Sequence, residues 1–411
     1  MQSSSAVLHI GWMARAVAAL VATGRPVTCA VAPGDAAAAR AAGARVLVVP
    51  DPTSTTDVLA ALARHGLAVA DFRAVCSGLE FCLLNAAAVA AVGGGGRADV
   101  HRALAMRDKY VQKQAVRAAG IDTAGCAVLD DLGTAGPPDL AFPLVLKPLD
   151  GGGVRDTRVL ADAAALRAAA AAARAAGASG PWLLEEFVPG AEFKVDGLVR
   201  DGEIRLLSVS RYLQNLIEVR QGGLVAHVVL EPERHRELYA GVHAVAAAAF
   251  EALDHKDGVF HLEVFQHPQD GRIVFGECAA RVGGGRTDEV VRRRHGVDLH
   301  AEWARWALGL PAGEPVAPTV ADGAAIGGMN LPAPPGVVTA APTVEEVLGR
   351  PGVVYAEVSL APGAVMPDTT AGSNLRAGLA VLTGRDEAQV EQRLRELAAW
   401  FTDRVVLAPA H

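Results

Sequence analysis

The sequence predicts an α/β N-terminal domain, a larger α+β region built on antiparallel hairpins, and a smaller α+β lobe at the C-terminal end. Three observations carry this. Strand-length apolar runs alternate with helical patterns over residues 6–91, which implies a parallel sheet. Further on, Asp201-Gly202 and Asp270-Gly271 each sit between alternating apolar segments, the signature of tight hairpins. The chain has 411 residues, enough for roughly two to four domains with sizeable cores.

The elements follow in order. Residues 6–10 read as a first strand and 14–22 as a helix. Strands at 27–31 and 44–49 flank a helix at 35–42, and 74–76 is the next strand, followed by a helix at 79–91. The glycines at 93–96 break the pattern and mark a boundary, placing a first domain at 1–96. A helix at 106–119 ends at Gly120, a natural C-cap. Strand 127–129 and the Gly136-Pro-Pro138 turn lead to an apolar strand at 144–146. The alanine-rich stretch 163–178 reads as a surface helix. Strand 182–187 follows, then hairpins 192–199 with 204–210 and 258–265 with 272–277. Helices are expected at 233–253 and 298–308. A Pro/Ala-rich linker at 310–319 closes a second domain, 97–309, whose smaller lobe spans about 120–188. Residues 310–411 form the last lobe.

Composition excludes several classes. Net charge is −7 with a pI near 6.0, and the densest basic run, Arg292–Arg294, reads as a solvated helix face rather than a nucleic-acid patch. Arg167 and Arg174 interrupt the alanine-rich helix, and no apolar stretch is long enough to cross a bilayer. No signal peptide pattern precedes the first strand. The five cysteines (Cys29, Cys76, Cys82, Cys126, Cys278) lack metal-ligand spacing and read as reduced thiols of a cytoplasmic protein. A homodimer is the default expectation.

Two segments carry the chemistry. The first is Phe142-Pro-Leu-Val-Leu-Lys-Pro-Leu-Asp-Gly-Gly-Gly-Val-Arg155. A buried strand ends in Lys147, and Gly151, Gly152 and Gly153 then let backbone N–H groups approach an anion. A cation beside an amide-rich loop suits a phosphate, although the spacing fits neither the P-loop nor the dinucleotide fingerprint. The second is the hairpin at 258–277. It brings Glu263 and Glu277, both in apolar frames, to one end of a sheet, where a divalent cation is an efficient partner. Arg281 follows, just before Gly283-Gly-Gly285, as a guanidinium beside a second possible anion cradle.

These parts resemble the ATP-grasp superfamily over roughly residues 105–309. Met106-Arg-Asp-Lys-Tyr110 looks like its entry helix, and 142–148 like its first phosphate strand. Leu184-Glu-Glu-Phe-Val-Pro-Gly-Ala-Glu192 looks like its adenine hinge and ribose carboxylate. His261-Leu-Glu263 and Phe275-Gly-Glu-Cys-Ala-Ala-Arg281 look like its metal and acyl-phosphate strands. The first domain is then similar to the Rossmann-like domain that precedes ATP-grasp. The resemblance implies that Lys109 and Lys147, with Gly152, Gly153 and Arg155, bind ATP phosphates. It implies that Glu185, with the backbone of Glu186 and Val188, holds the adenine edge, and that Glu192 accepts from the ribose. Glu263 and Glu277 would hold one or two Mg²⁺ ions, for which Mn²⁺ can substitute, and Arg281 would stabilise a carboxylate and its acyl phosphate.

Two departures stand out. The family's frequent third metal ligand, Asn, is Ala279 here, and the phosphate loop lacks the usual glycine-serine pattern. The chemistry implied is activation of a carboxylate by ATP to an acyl phosphate, followed by attack of an amine. The general look is that of L-amino-acid ligases, with small carboxylates and amines, amino acids above all, as substrates. Residues 151–153 and 212–223 are the lid candidates. A purine- or carboxylase-type ATP-grasp ligase and a non-catalytic nucleotide-binding protein, suggested by Ala279, are the alternatives. An NAD-dependent oxidoreductase is disfavoured, since no G-x-G-x-x-G follows the first strand.

Overall fold

The computed structural model describes residues 5–93, 99–130, 132, 139–149, 151–178, 180–321 and 323–408. Most of the glycine break at 93–96, the Gly136-Pro-Pro138 turn and Asp150 lie outside the described residues.

The N-terminal sheet is built from β1 (Val7–Ile10), β2 (Val27–Val31), β3 (Arg45–Val48) and β4 (Ala74–Cys76), in the order β3-β2-β1-β4 with all pairs parallel. Helices α1 (Ala14–Ala22), α2 (Ala36–Ala41), α3 (Thr55–Arg64) and α4 (Leu83–Val92) complete it. The helix at 55–64 was not anticipated; Ser54 caps it by accepting from the Asp57 N–H. The helix expected at 106–119 begins only at Lys109, as α6 (Lys109–Ala118), and the helix before it, α5 (Val100–Ala105), was not anticipated. Asp108 sets the start of α6 because its carboxylate accepts from the Tyr110 and Val111 N–H groups, a stronger start signal than the run of helix formers before it.

The smaller lobe is a four-stranded antiparallel sheet of β5 (Cys126–Leu129), β6 (Leu144–Pro148), β7 (Arg158–Leu160) and β8 (Trp182–Glu186), ordered β5-β8-β6-β7. Helix α7 (Ala163–Ala175) buries Leu166, Ala169 and Ala170 against Leu144, Leu146 and Leu184.

The large sheet begins with β9 (Ala191–Arg200), β10 (Glu203–Tyr212) and β11 (Ala226–Val229). After α8 (Arg236–Ala252) come β12 (Gly258–Gln266) and β13 (Ile273–Ala279). Helices α9 (Thr287–His295) and α10 (Leu299–Ala307) follow. Then come β14 (Ala325–Leu331), β15 (Gly336–Ala340), α11 (Val344–Leu348), β16 (Val353–Val358), β17 (Val365–Met366), β18 (Gly378–Gly384), α12 (Glu387–Thr402) and β19 (Val406–Leu407). The order is β13-β12-β9-β10-β11-β14-β18-β16 in one eight-stranded sheet. Strands from beyond residue 310 therefore extend the sheet that carries Glu263 and Glu277. Met329 and Leu382 share a core with Ala226 and Val228, so the C-terminal residues complete this sheet rather than standing apart from it.

Helix α10 locks the N-terminal domain onto this sheet. Trp303, 2% exposed, and Leu299 pack with Ala16, Val17 and Leu20 of α1 and with Val259 of β12. Fully burying an apolar side chain contributes about 1.5–3 kcal/mol, so this joint is held by packing and positions the loop after β4 over the end of β13.

Candidate active site

The β12–β13 hairpin aims two carboxylates at one place. Glu263 and Glu277 are direct cross-strand partners, and the register shifts between Glu263 and Val264, leaving Gly276 as an extra residue. Such a bulge re-aims the side chain beside it. A side chain at Gly276 would collide with the Glu263 carbonyl oxygen, 2.8 Å from the Cβ position, so glycine is required there.

Three lysines converge on this pair. Lys109 is the first residue of α6, yet it is buried, donating to the Gly151 carbonyl at 2.7 Å and lying 3.8 Å from Glu277. Lys147 ends β6, 3.8 Å from Glu277 and paired with Glu185. Lys113, one turn after Lys109, pairs with Glu185 at 3.0 Å and donates to the Gly276 carbonyl. Burial opposes ionisation of Glu277, but Lys109, Lys147, Lys113 and Arg281 outweigh it and hold the carboxyl down at about 2. Between them on α6, Gln112 fastens β13 by bonding both the N–H and the carbonyl of Cys278 at 2.7 Å.

The hinge residues are used differently from the sequence expectation. The Glu185 carboxylate lies between Lys113 and Lys147, which hold its pKa below the ordinary value against burial. It therefore orients the lysines rather than facing a base. The Glu186 carboxylate accepts from the Gly125 and Ala141 N–H groups. The backbone at 186–188, with Val188, lines the cavity. Glu192 is buried, and its carboxyl is pushed well up by burial and by Glu263, while it accepts from the Leu216 N–H at 2.7 Å. That bond ties the 212–223 lid candidate to β9. Gly152, Gly153 and the exposed Arg155 lie on the cavity wall opposite.

Arg281 does not stand alone. Its Nε and Nη2 fork onto one oxygen of Glu80 at 2.7 and 2.5 Å, and its Nη1 donates to the Val282 carbonyl. Glu80 lies in the short turn after β4 and also pairs with Arg107. No sequence signal marked it, because the contact spans two domains.

Beneath the carboxylates runs a buried polar layer. On β9, Glu192, Lys194 and Asp196 alternate onto one face, and β12 places Glu263 opposite Lys194 and His261 opposite Asp196. His261 pairs with Asp196 at 2.7 Å, and Asp196 raises the imidazole to about 9 despite burial. A side chain at Gly283 would meet Asp196 Oδ1 at 2.3 Å and His261 Nδ1 at 2.8 Å. The first of the three glycines is thus set by packing on this pair. The alternation at 192–196 is visible in the sequence and was read only as a hairpin strand.

Lys109, Lys113, Lys147, Glu192, Lys194, His261, Glu263, Glu277 and Arg281 all line one cavity of about 690 Å³ between the three parts of the chain. Among the described residues no group of three or more His, Cys, Asp or Glu side chains could hold a metal ion. A facing pair of carboxylates does fit a hard cation that draws its remaining oxygens from phosphate and water. The four basic side chains fit a polyphosphate.

This architecture, two α+β lobes closing on a lysine- and carboxylate-lined cleft behind a parallel-sheet domain, is that of an ATP-grasp protein. The ATP-grasp domain family matches residues 140–289, and the family described as L-amino acid ligase C-terminal domain 2 matches residues 329–402. The chain thus carries an ATP-grasp domain followed by a region like the C-terminal domain 2 of L-amino acid ligases. It is 25% identical over 267 residues to the L-arginine-specific L-amino acid ligase of Bacillus subtilis, a match spanning 62% of this chain and 62% of that protein. The crystal structure of an L-amino acid ligase from Bacillus licheniformis superposes with a TM-score of 0.79 at 18% identity, covering all of both chains. The biotin carboxylase domain of the Hydrogenobacter thermophilus 2-oxoglutarate carboxylase, solved with MgADP and bicarbonate, gives a TM-score of 0.68 at 17% identity over 99% of this chain and 91% of that one. No described helix is long and apolar enough to cross a membrane.

Proposed function

We propose that the protein is an ATP-dependent ligase that joins the carboxylate of one amino acid to the amine of another, releasing ADP and phosphate. The observation that carries this is the convergence of Lys109, Lys147, Glu263, Glu277 and Arg281 on one cavity, with no nucleophilic side chain needed among them.

The reaction follows from the placement of these groups. Lys109 and Lys147 hold the phosphates of ATP, and the Gly151–Gly153 backbone covers them. Glu263 and Glu277 would hold Mg²⁺, which when bound would neutralise phosphate charge. With Ala279 in place of Asn, the chain supplies one side-chain oxygen fewer, so a second ion would draw more of its oxygens from water or substrate. Arg281, held in plane by Glu80, meets the substrate carboxylate. One carboxylate oxygen attacks the γ-phosphorus, forming the acyl phosphate as the bond to ADP breaks. The amine nitrogen then attacks the acyl carbon, loses its proton, and phosphate departs with the C–O electron pair. Positioning and charge neutralisation supply the acceleration.

The test is a phosphate-release screen over pairs of amino acids with Mg-ATP, with products identified by mass. Phosphate release dependent on both amino acids, with a product lighter by one water than their sum, is expected. NAD consumption, or full turnover without an amine, would overturn the reading.

A further inference from the structure

Away from the phosphate strand, the cavity has a second wall made by the start of α9, β14 and the loop leading into β18. Two guanidinium groups from this wall, and a third from α1, line the cavity here. Arg15 is paired with Asp288 at 2.6 Å, and Arg286 with Glu357 at 2.5 Å. Arg376 is different. It lines the cavity and donates to the Asn374 carbonyl at 3.2 Å, but among the described residues no carboxylate comes within ion-pairing distance. Burial and the neighbouring Arg286 both press against its charge, and Glu357 offsets them only partly. A half-buried cation facing a cavity in this way is a seat for an anion.

A second group on the same wall lacks its complement. Asn330 donates through Nδ2 to the Ser373 carbonyl at 2.7 Å, while its buried Oδ1 has no hydrogen-bond partner. That oxygen lies 3.9 Å from where a side chain on Gly285 would begin, so it faces the turn that follows Arg281. A buried acceptor in a cavity wall calls for an N–H donor.

The wall is held in place. Ser373 donates its N–H to the Gly153 carbonyl of the phosphate loop at 2.9 Å. Arg220, from the 3-10 turn after β10, donates to the Thr370 and Ala371 carbonyls at 3.2 and 3.1 Å. The loop bearing Arg376 is therefore tied to both segments that rim the cavity.

We propose that Asn330 and Arg376 form the seat of the second substrate: Asn330 Oδ1 accepts from its amine, and Arg376 pairs with its carboxylate. This rests on the ligase reading above and deepens it, by naming the two side chains that hold the second amino acid. The order along the cavity is Arg281 at the acyl group, Asn330 at the attacking nitrogen and Arg376 at the far carboxylate.

The test uses the full-length protein, Mg-ATP, an accepted donor acid and two acceptors that differ only at the carboxylate, an amino acid and its carboxamide. The wild type should favour the acid by about tenfold to a hundredfold in kcat/KM, chiefly through KM, as the loss of a charge-assisted contact dictates. That comparison needs no variant. In Arg376→Gln the preference should shrink to within about twofold, with Arg376→Lys between the two. Equal use of acid and amide by the wild type, or a preference retained in the folded Gln variant, would overturn the seat. A loss confined to ATP affinity would also overturn it, by moving Arg376 to the nucleotide. A separate arm replaces the acceptor with hydroxylamine on the wild type. Hydroxamate formation supports the acyl phosphate independently of the seat; its absence, with no phosphate release, overturns the ligase reading, and the seat falls with it.

Discussion

Replacing Arg281 with lysine keeps the charge and removes the geometry. In the structure the guanidinium makes two contacts to Glu80, at 2.7 and 2.5 Å, and one to the Val282 carbonyl at 3.1 Å. An ammonium can keep one contact to Glu80 but cannot hold a plane. The variant thus loses one charge-assisted bond, worth about 1.5–3 kcal/mol, and one ordinary bond, worth about 0.5–1.5 kcal/mol. The sum, about 2–4.5 kcal/mol, corresponds to roughly 30- to 2,000-fold in rate if it is all expressed at the transition state. It should be so expressed, because the group meets the carboxylate while charge develops on the transferring phosphoryl. The loss should fall on kcat and kcat/KM together, with ATP affinity little changed, since the proposal places the nucleotide on Lys109 and Lys147. Steady-state kinetics beside nucleotide titration on the same folded sample measures both. A near-normal kcat, or a loss seen only in ATP affinity, would refute the placement of Arg281 at the acyl group.

Lys147→Ala should weaken ATP binding by about 1.5–3 kcal/mol, roughly ten- to 150-fold, measured by calorimetric titration; unchanged affinity in a folded variant would move the phosphate site elsewhere. His9 is fully buried, donates from Nδ1 to the Gly11 carbonyl, and accepts from the Gly78 N–H on Nε2. Burial pushes its pKa from 6.5 down to about 4. The unfolded chain binds this proton below 6.5 and the folded chain does not until about 4. Stability should therefore be intact above pH 6.5 and fall by up to about 3 kcal/mol as pH drops through that window. His9→Gln should flatten that part of the pH profile in denaturant melts, and an unaltered slope would count against the assignment.

How much of this was legible in the sequence depended on whether a contact was local. The parallel sheet, both hairpins and the strand ending at Lys147 are written in periodicity and turn residues, and each formed close to its expected bounds. The helix start at Lys109 was placed three residues early because a run of helix formers outweighed the capping signal of Asp108. Glu80 could not have been found: it meets Arg281 201 positions later in the chain only because Trp303 packs the two domains together. The polar layer of Lys194, Asp196 and His261 lies between these cases. Charges at every second position of an otherwise apolar strand are a visible anomaly, but their partners are supplied by another strand. Glu185 shows the converse. Its motif was recognised, yet the direction of its carboxylate depended on Lys113, one helical turn from a lysine that was already singled out.

The same charge lattice bears on how metal and nucleotide bind. One oxygen of Glu277 is shared by Lys109 and Lys147 at 3.8 Å each, and those cations, with Lys113 and Arg281, keep the carboxyl ionised against burial. A divalent cation approaching alone meets a carboxylate already neutralised and ringed by positive charge, an unfavourable site. Phosphate oxygens offer the two ammonium groups an alternative partner and release Glu277 for the metal. Metal and nucleotide should therefore bind with positive coupling, of at least about tenfold, beyond their affinity for each other in solution. Mn²⁺ titration followed by water proton relaxation, with and without ADP, measures the first leg, and ADP titration with and without metal measures the second. By linkage the two factors must agree. In Lys109→Met and Lys147→Met the competition at Glu277 is reduced, so Mn²⁺ alone should bind more tightly than in the wild type even as ADP binds more weakly. Opposite movement of the two affinities is what a simple loss of folding cannot produce. Tight Mn²⁺ binding to the wild type without nucleotide, or lysine variants in which both affinities fall together, would refute the exchange at Glu277.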